Sequence, residues 1–269
     1  MILLSMAGFD PSGGAGVLLD LHVFRSLGFY GAAVLTAATV QDTSTLFRVK
    51  AFDPRFVRAQ AETLDRDLKF SGLKVGMIGS AGNLKEIGRF LAAHEDIPRV
   101  VDPILRSSSG HRLLETSAGP LFLQTIKNRA SVLTPNLDEA SHLSGRAVRT
   151  IEDMRTAAEI LFDRTGVPCL IKGGHLSGEA VNVLFDGSRS VLFRKNRLAK
   201  DVHGTGCFFS AALLGFLVQT KDLVRAARQA TKWTHEAIRS ASPIGRGRAI
   251  FSTRFPPPPG TGKDLPQRS

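Results

Sequence analysis

Cysteine is scarce in this chain: Cys169 and Cys207 are its two thiols among 269 residues. Two thiols in different settings make no disulfide framework. No stretch reaches the roughly 18 apolar residues that a membrane span needs, and residues 1–7 are too short and too uncharged for a signal peptide. The expected setting is cytoplasmic. Several chemistries are missing as well. There is no HExxH, no EF-hand spacing, no Cys/His zinc cluster and no internal repeat. Gly206-Cys207-Phe208-Phe209-Ser210 is not the GxSxG elbow of hydrolases. Acids are outnumbered, 24 Asp and Glu against 35 Lys and Arg, for a net charge of +11. The basic residues are scattered and none form a run interleaved with aromatics. The excess therefore suits an anionic small substrate such as a nucleotide, and nothing marks a nucleic-acid or membrane partner.

What is present is a soluble composition, 43% hydrophobic and 22% charged, in a length that fits one large α/β domain. Short apolar runs alternate with amphipathic stretches at least five times, and glycine or polar loops follow the runs. That pattern predicts a largely parallel sheet flanked by helices, with ligand loops at one edge. Strands are expected at 2–7, 32–39, 73–79, 99–103, 131–136 and 167–172. Two further runs, 181–185 and 190–193, flank Asp186-Gly187 and read as a hairpin. Helices are expected at 18–27, 54–68, 83–94, 120–127, from 137, at 152–165, after 204 and at 222–240. From 242 onward the chain is rich in proline and base, and reads as a disordered or loosely packed extension without assigned chemistry.

The loops carry the chemistry. Gly8-Phe9-Asp10-Pro11-Ser12-Gly13-Gly14-Ala15-Gly16 follows the first strand as a ligand loop. It has neither the Walker A lysine nor the GxGxxG spacing. Asp10 there suits either a ligand contact or a turn. Asp102 ends a strand, where an acid is costly in a core and useful in a cleft. Lys172 stands beside Gly173-Gly174, as a phosphate contact or a solvated lysine. Met77 reads as core filler or ligand surface, and Cys169 as a silent core thiol. His203-Gly204-Thr205-Gly206-Cys207 leads into an apolar helix. This is either a bend before a buried helix or an anion site made of unpaired N–H groups. Cys207 falls in the first turn, where the helix field favours a thiolate.

Taken together, in order and spacing, several segments resemble the hydroxymethylpyrimidine/phosphomethylpyrimidine kinases of thiamin synthesis, in the ribokinase-like fold. They are residues 7–16, Lys74-Val75-Gly76-Met77, Val101-Asp102-Pro103, Thr134-Pro135-Asn136 with Glu139-Ala140, Lys172-Gly173-Gly174-His175 and His203-Gly204-Thr205-Gly206-Cys207. The resemblance implies an α/β kinase domain over 1–241, followed by the extension 242–269. It implies transfer of the γ-phosphoryl group of ATP to 4-amino-5-hydroxymethyl-2-methylpyrimidine, then a second transfer to the monophosphate. By motif, Gly8, Gln41, Met77 and Ile104, with Asp10 at the border, resemble the pyrimidine site. Asp102 and Glu139 resemble the acids that hold Mg²⁺, often through water. Thr134, Asn136, Lys172 and Thr205 resemble the nucleotide side. Gly204, Thr205, Gly206 and Cys207 resemble the anion hole under the transferred phosphoryl group, with Cys207 where a base sits in other ribokinase-like enzymes. Members of the fold often dimerise, and no stripe in the sequence identifies an interface.

The chain departs from the pattern at Leu18-Leu19, at Asp42, at Thr45-Leu46, at Ser108 and at Asp201-Val202, with Phe208 after the cysteine. Loss of the lysine at 108 and the gain of Asp42 and Asp201 remove positive character near the phosphates, which bears on the second phosphorylation. Two rivals follow: a pyridoxal/pyridoxine kinase of the same fold, favoured by the altered substrate loops, and a non-catalytic pyrimidine-binding protein, disfavoured by Cys207 and Lys172.

Overall fold

The computed structural model describes residues 1–106, 113, 119–174, 176, 179–252 and 254–259; the polar loop from 107 and His175 lie outside the described residues. The strands are β1 (Ile2–Phe9), β2 (Tyr30–Gln41), β3 (Leu46–Ala51), β4 (Phe70–Val75), β5 (Arg99–Val101), β6 (Val132–Leu133), β7 (Cys169–Gly173), β8 (Ala180–Phe185) and β9 (Ser190–Lys195). The helices are α1 (Gly16–Ser26), α2 (Pro54–Asp67), α3 (Ala81–Ala92), α4 (Gly119–Ile126), α5 (Leu137–Ser144), α6 (Ile151–Thr165), α7 (Thr205–Thr220) and α8 (Leu223–Ser240).

The strands form one sheet in the order β3-β2-β1-β4-β5-β6-β7-β8-β9. It is parallel from β2 to β7 and antiparallel where β3 joins β2, β8 joins β7 and β9 joins β8. Alternation along each strand sorts the core into two layers. Val100, Val132 and Leu170 face α1, α7 and α8, whereas Val101, Leu133 and Ile171 face α2 to α6. Both faces are covered, so the central strands read as continuous apolar runs. Local signals end the helices where the chain predicts. Asp53 and Asp222 cap α2 and α8 with their side chains, Thr150 closes a capping box on α6, and Gly145 and Gly166 stop α5 and α6 in the left-handed region.

Helix α7 is buried continuously from Cys207 to Leu217, between the sheet and α8. An apolar 16-residue helix has no solvent face to choose, so its axis is set by packing on both sides. No helix of the described residues is long and apolar enough to cross a membrane.

Two sequence expectations fail. The sequence pattern gives no strand at 46–51, yet β3 is the edge strand, paired antiparallel to β2. Its residues are mostly exposed, with Phe47 at 64%, so burial leaves little trace in its composition. The tail is the second correction. Up to 259 its described part is packed, not loose. Phe251 stacks on Phe208 with ring centroids 4.6 Å apart, and Phe255 meets the same ring edge-on at 5.0 Å. Trp233 Nε1 donates to the Pro256 carbonyl at 2.7 Å. Proline-rich composition signals the missing regular structure, but not the aromatic side chains that dock it.

The packed tail makes a stability prediction. Phe251→Ala should lower unfolding free energy by about 3–5 kcal/mol, the range for truncating a buried aromatic. Urea denaturation followed by far-UV circular dichroism measures it; a midpoint equal to wild type would mean that the tail adds nothing to the core.

Candidate active site

The chain leaves β1 for β2 on one side and reaches β4 on the other, so a crevice opens at the carboxyl ends of β1 and β4. Asp10 follows β1, Met77 follows β4, Asp102 follows β5, Thr134 and Asn136 follow β6, and Lys172 lies near the end of β7. Residues spread over 160 positions of sequence thus meet along one edge.

Asp102 is 1% exposed and anchors one side of the crevice. Its Oδ1 accepts from Lys172 Nζ at 2.6 Å and from Thr134 Oγ1 at 3.1 Å. Its Oδ2 accepts from Ser210 Oγ of α7 at 3.2 Å. A Cβ added at Gly206 would lie 3.1 Å from Lys172 Nζ, so the ammonium reaches the first turn of α7. Burial alone would discharge Lys172; Asp102 and Glu139 overcome it and raise the lysine above its ordinary range. Thr134 therefore spends its hydroxyl on Asp102. Asn136 caps α5, accepting from the Glu139 amide at 2.8 Å while its own amide donates to Glu139 Oε2 at 2.8 Å. Burial pushes the Glu139 carboxyl up to about 8, with Lys172 pulling it down and Asp102 adding to the rise.

The other side is built on His203. Asp10 Oδ1 accepts from the Ser12 amide at 2.9 Å and from the Ser12 hydroxyl at 2.8 Å. Asp10 Oδ2 lies 2.9 Å from His203 Nε2, and Gln41 Nε2 lies 3.1 Å from the same ring nitrogen. With its proton on Nε2 the imidazole donates to Asp10; without it, the nitrogen accepts from Gln41. Burial opposes ionisation of Asp10, but the bonds from His203 and Ser12 hold its carboxyl below the ordinary range. Of the two sequence options for Asp10, the structure shows the turn residue, with its second carboxylate oxygen beside His203. Met77 is 7% exposed and packs with Ala37, Leu46 and Leu113, beside Ile104. A Cβ at Gly8 would come within 2.8 Å of Met77 Sδ, so Gly8 lets the methionine lie across the end of β1.

Between the two sides stands the start of α7. Gly204 caps it at φ 82°, and a Cβ there would run into the Gly14 carbonyl. Cys207 accepts a hydrogen bond from the Gly16 amide, at the start of α1. The sequence expectation of an easily ionised thiol is corrected here. Burial pushes Cys207 up to about 11; the nearby Lys74 charge pulls it down, and Asp20 and Asp102 push it further up. A helix field cannot offset the loss of water around a thiol that is 8% exposed. Cys169 is fully buried and its thiol is pushed far above the ordinary range by desolvation.

Two features escaped the sequence reading. Lys74 and Asp20 form an ion pair of 2.5 Å with both side chains inaccessible, and Ser5 Oγ donates to Asp20 at 2.6 Å. A lysine between Leu73 and Val75 is the visible signal, since a charge on a buried strand needs a partner. The sequence marks His203 only as part of its motif. Among the altered acids, Asp42 accepts from the Ser44 and Thr45 amides within its own turn, bonds that hold its carboxyl below the ordinary range, and Asp201 is paired with Arg248 at 2.7 Å. Both acids keep their negative charge, and Asp201 offsets that of Arg248.

The Gly204 geometry separates two glycines with similar backbones. Gly13→Ala, at φ 73° with open space around it, should cost about 1–2 kcal/mol. Gly204→Ala must also displace the Gly14 backbone and should cost clearly more, with a loss of ligand binding. Thermal unfolding of the two variants side by side checks this; equal shifts would mean that the two loops separate freely.

Comparison with known proteins bears on this arrangement. The family model described as phosphomethylpyrimidine kinase matches residues 10–252. A hydroxymethylpyrimidine/phosphomethylpyrimidine kinase of Aquifex aeolicus is 34% identical over 253 residues, spanning 93% of this chain and 99% of that protein. Among solved structures, a phosphomethylpyrimidine kinase from Clostridium difficile superposes with a TM-score of 0.77 at 31% identity, covering 88% of this chain and 99% of that one. A pyridoxal kinase from Staphylococcus aureus, solved with AMP-PCP and pyridoxal, gives a TM-score of 0.85 at 29% identity, covering 94% and 92%. With its mostly parallel sheet, its crevice at the β1/β4 switch and this match over most of its length, the chain belongs to the phosphomethylpyrimidine kinase family.

Proposed function

We propose that this chain transfers the γ-phosphoryl group of ATP to the hydroxymethyl group of 4-amino-5-hydroxymethyl-2-methylpyrimidine, and then phosphorylates the monophosphate. The observation that carries the reading is the split crevice, with an amide and an apolar wall on one side, a lysine and two acids on the other, and a helix N-terminus between. Gln41 offers both a donor and an acceptor to a ring nitrogen and its amino group. Met77 and Ile104 supply apolar surface. Lys172 and the amides of the α7 first turn, Gly204 to Cys207, face the oxygens of the transferring group. Thr205 lies in that turn, on the nucleotide side with Thr134 and Asn136.

Asp102 and Glu139 fit Mg²⁺. They are hard oxygen donors whose mutual repulsion contributes to the raised Glu139 carboxyl, and a divalent cation would relieve it. Among the described residues no group of three or more His, Cys, Asp or Glu converges, which suits an ion that keeps several waters. When bound, it would neutralise phosphate charge. In the transfer, the substrate hydroxyl gives its proton to the Cys207 thiolate and its oxygen bonds the γ-phosphorus. The bond from that phosphorus to the ADP oxygen breaks, with its electron pair leaving on ADP. The loose transition state needs modest help from the base. The same reading makes it a cytoplasmic kinase of small molecules, in line with the small-molecule substrate and ATP analogue bound by a pyridoxal kinase of the same fold.

The test is an ATP-dependent assay with mass detection of mono- and diphosphorylated pyrimidine, run beside pyridoxal because pyridoxal kinases are among the structural neighbours. Turnover of the pyrimidine and not of pyridoxal is expected; the reverse would move the chain to the pyridoxal reading, and neither would leave a binding protein.

The role of Cys207 has its own pH signature. Its thiolate is surrounded by Lys74, Asp20, Asp102 and Lys172. Because the thiol is pushed up to about 11, turnover should keep rising above pH 9 instead of levelling near the ordinary thiol range. Cys207→Ser should cut turnover sharply, spare both affinities and lose that rising limb. A serine variant with wild-type turnover and profile would reduce Cys207 to packing.

A further inference from the structure

The mechanism above leaves one part of the molecule unused: the tail after α8. It makes its crossing between the Thr43 turn and the His203 loop before docking on Phe208 and Trp233. Three consecutive residues make the crossing. The Gly247 amide donates to Thr43 Oγ1 at 3.1 Å. The Arg248 amide donates to the Thr43 carbonyl at 2.9 Å, and the Arg248 guanidinium pairs with Asp201 at 2.7 Å. The Ala249 carbonyl accepts from the His203 amide at 2.9 Å, and Val202 bridges to Ala249. Ile250 then meets Gly14, where an added Cβ would lie 3.1 Å from Ile250 Cγ2 and 2.6 Å from His203 Cδ2.

Each gripped point borders a pyrimidine-side group. Thr43 is two residues from Gln41 in the β2–β3 turn. His203 is the residue that Gln41 and Asp10 both contact. Gly14 closes the loop that starts at Asp10. The approach is close: a Cβ at Gly247 would collide with the Thr43 carbonyl carbon and oxygen and the Ser44 amide. Asp201, one of the departures from the family pattern, is one end of the grip.

We propose that Gly247-Arg248-Ala249 is a positioning strap for the pyrimidine side of the site. It holds the Gln41 turn and the His203 loop at a fixed spacing, so that the Gln41 amide and the Asp10–His203 pair present one preorganised surface. The strap's hydrogen bonds run to Thr43, Asp201 and His203 and not to Thr134, Asn136, Lys172 or Thr205. Its loosening therefore acts first on the pyrimidine side. The inference rests on the pyrimidine assignment only for the identity of the ligand.

Gly247→Val forces the strap off Thr43. Hydrogen–deuterium exchange should rise in peptides covering 39–46 and at the His203 amide, and stay unchanged in β5, in β7 and in the first turn of α7 from Thr205 on. The KM for the hydroxymethylpyrimidine should rise about tenfold or more, with the KM for ATP unchanged. Thr43→Val keeps the side-chain shape but removes the hydroxyl that accepts from Gly247; it should shift both readouts the same way to a smaller extent, and it carries the test where Gly247→Val does not fold. Trp233→Phe, which loses the bond to Pro256 at the far end, should lower the melting temperature and leave both KM values alone. Equal rises in the two KM values, or wild-type exchange in both loops, would overturn the strap. If the wild-type enzyme does not phosphorylate the pyrimidine, the functional reading fails alone, and the exchange pattern still decides the strap.

Discussion

The N-terminus of α7 is the point on which the site depends. The helix is apolar all round and is clamped between the sheet and α8, so it can neither rotate toward solvent nor slide. Its first amides therefore emerge at one place, the carboxyl edge of the sheet. Seating them there requires the Gly14 carbonyl to come within contact of Gly204, where a side chain would leave no room. Ser210, one turn further in, ties the same helix to Asp102. Burial of a hydrophobic helix thus aligns its first turn with the neighbouring acid and lysine.

Around that point the charges come in pairs. Asp102 holds Lys172, Asp20 holds Lys74 and Asp10 faces His203. Each partner would be costly alone in so little water, and each pair is worth less to stability than its short distances suggest. Their effect is on geometry and on ionisation. Lys172 is kept charged at the mouth of α7 because two carboxylates face it. The Cys207 thiol lies among these pairs and feels them with opposite signs, so burial decides its resting state.

Two of the departures from the family pattern lie around Gln41 and His203. Asp42 organises the turn that follows Gln41, and Asp201, just before His203, meets Arg248 on the tail. Others lie elsewhere: Leu18 and Leu19 are in α1, and Phe208 is in the core of α7 against Trp233 and Phe251. Across the crevice Asp102, Thr134, Asn136, Glu139 and Lys172 interlock by hydrogen bonds.

By itself the sequence determined the alternation of strands and helices, because burial on both faces writes long apolar runs and because caps such as Asp53, Thr150 and Gly166 act locally. It also marked the loops that follow the strands, through the glycines at 8, 204 and 206 and the acids at strand ends, and these loops meet along one edge of the sheet. It was silent on β3, whose exposed residues pair only because β2 offers an edge, and on the tail, whose aromatics need Phe208 and Trp233 already in place. Tertiary structure alone joined Lys74 to Asp20 across 54 positions and His203 to Asp10 across 193. It also reversed the expectation for Cys207. A helix N-terminus is legible in four residues, but the desolvation that outweighs it is produced by groups brought in from β4, β5 and α1, and no local stretch of chain contains them.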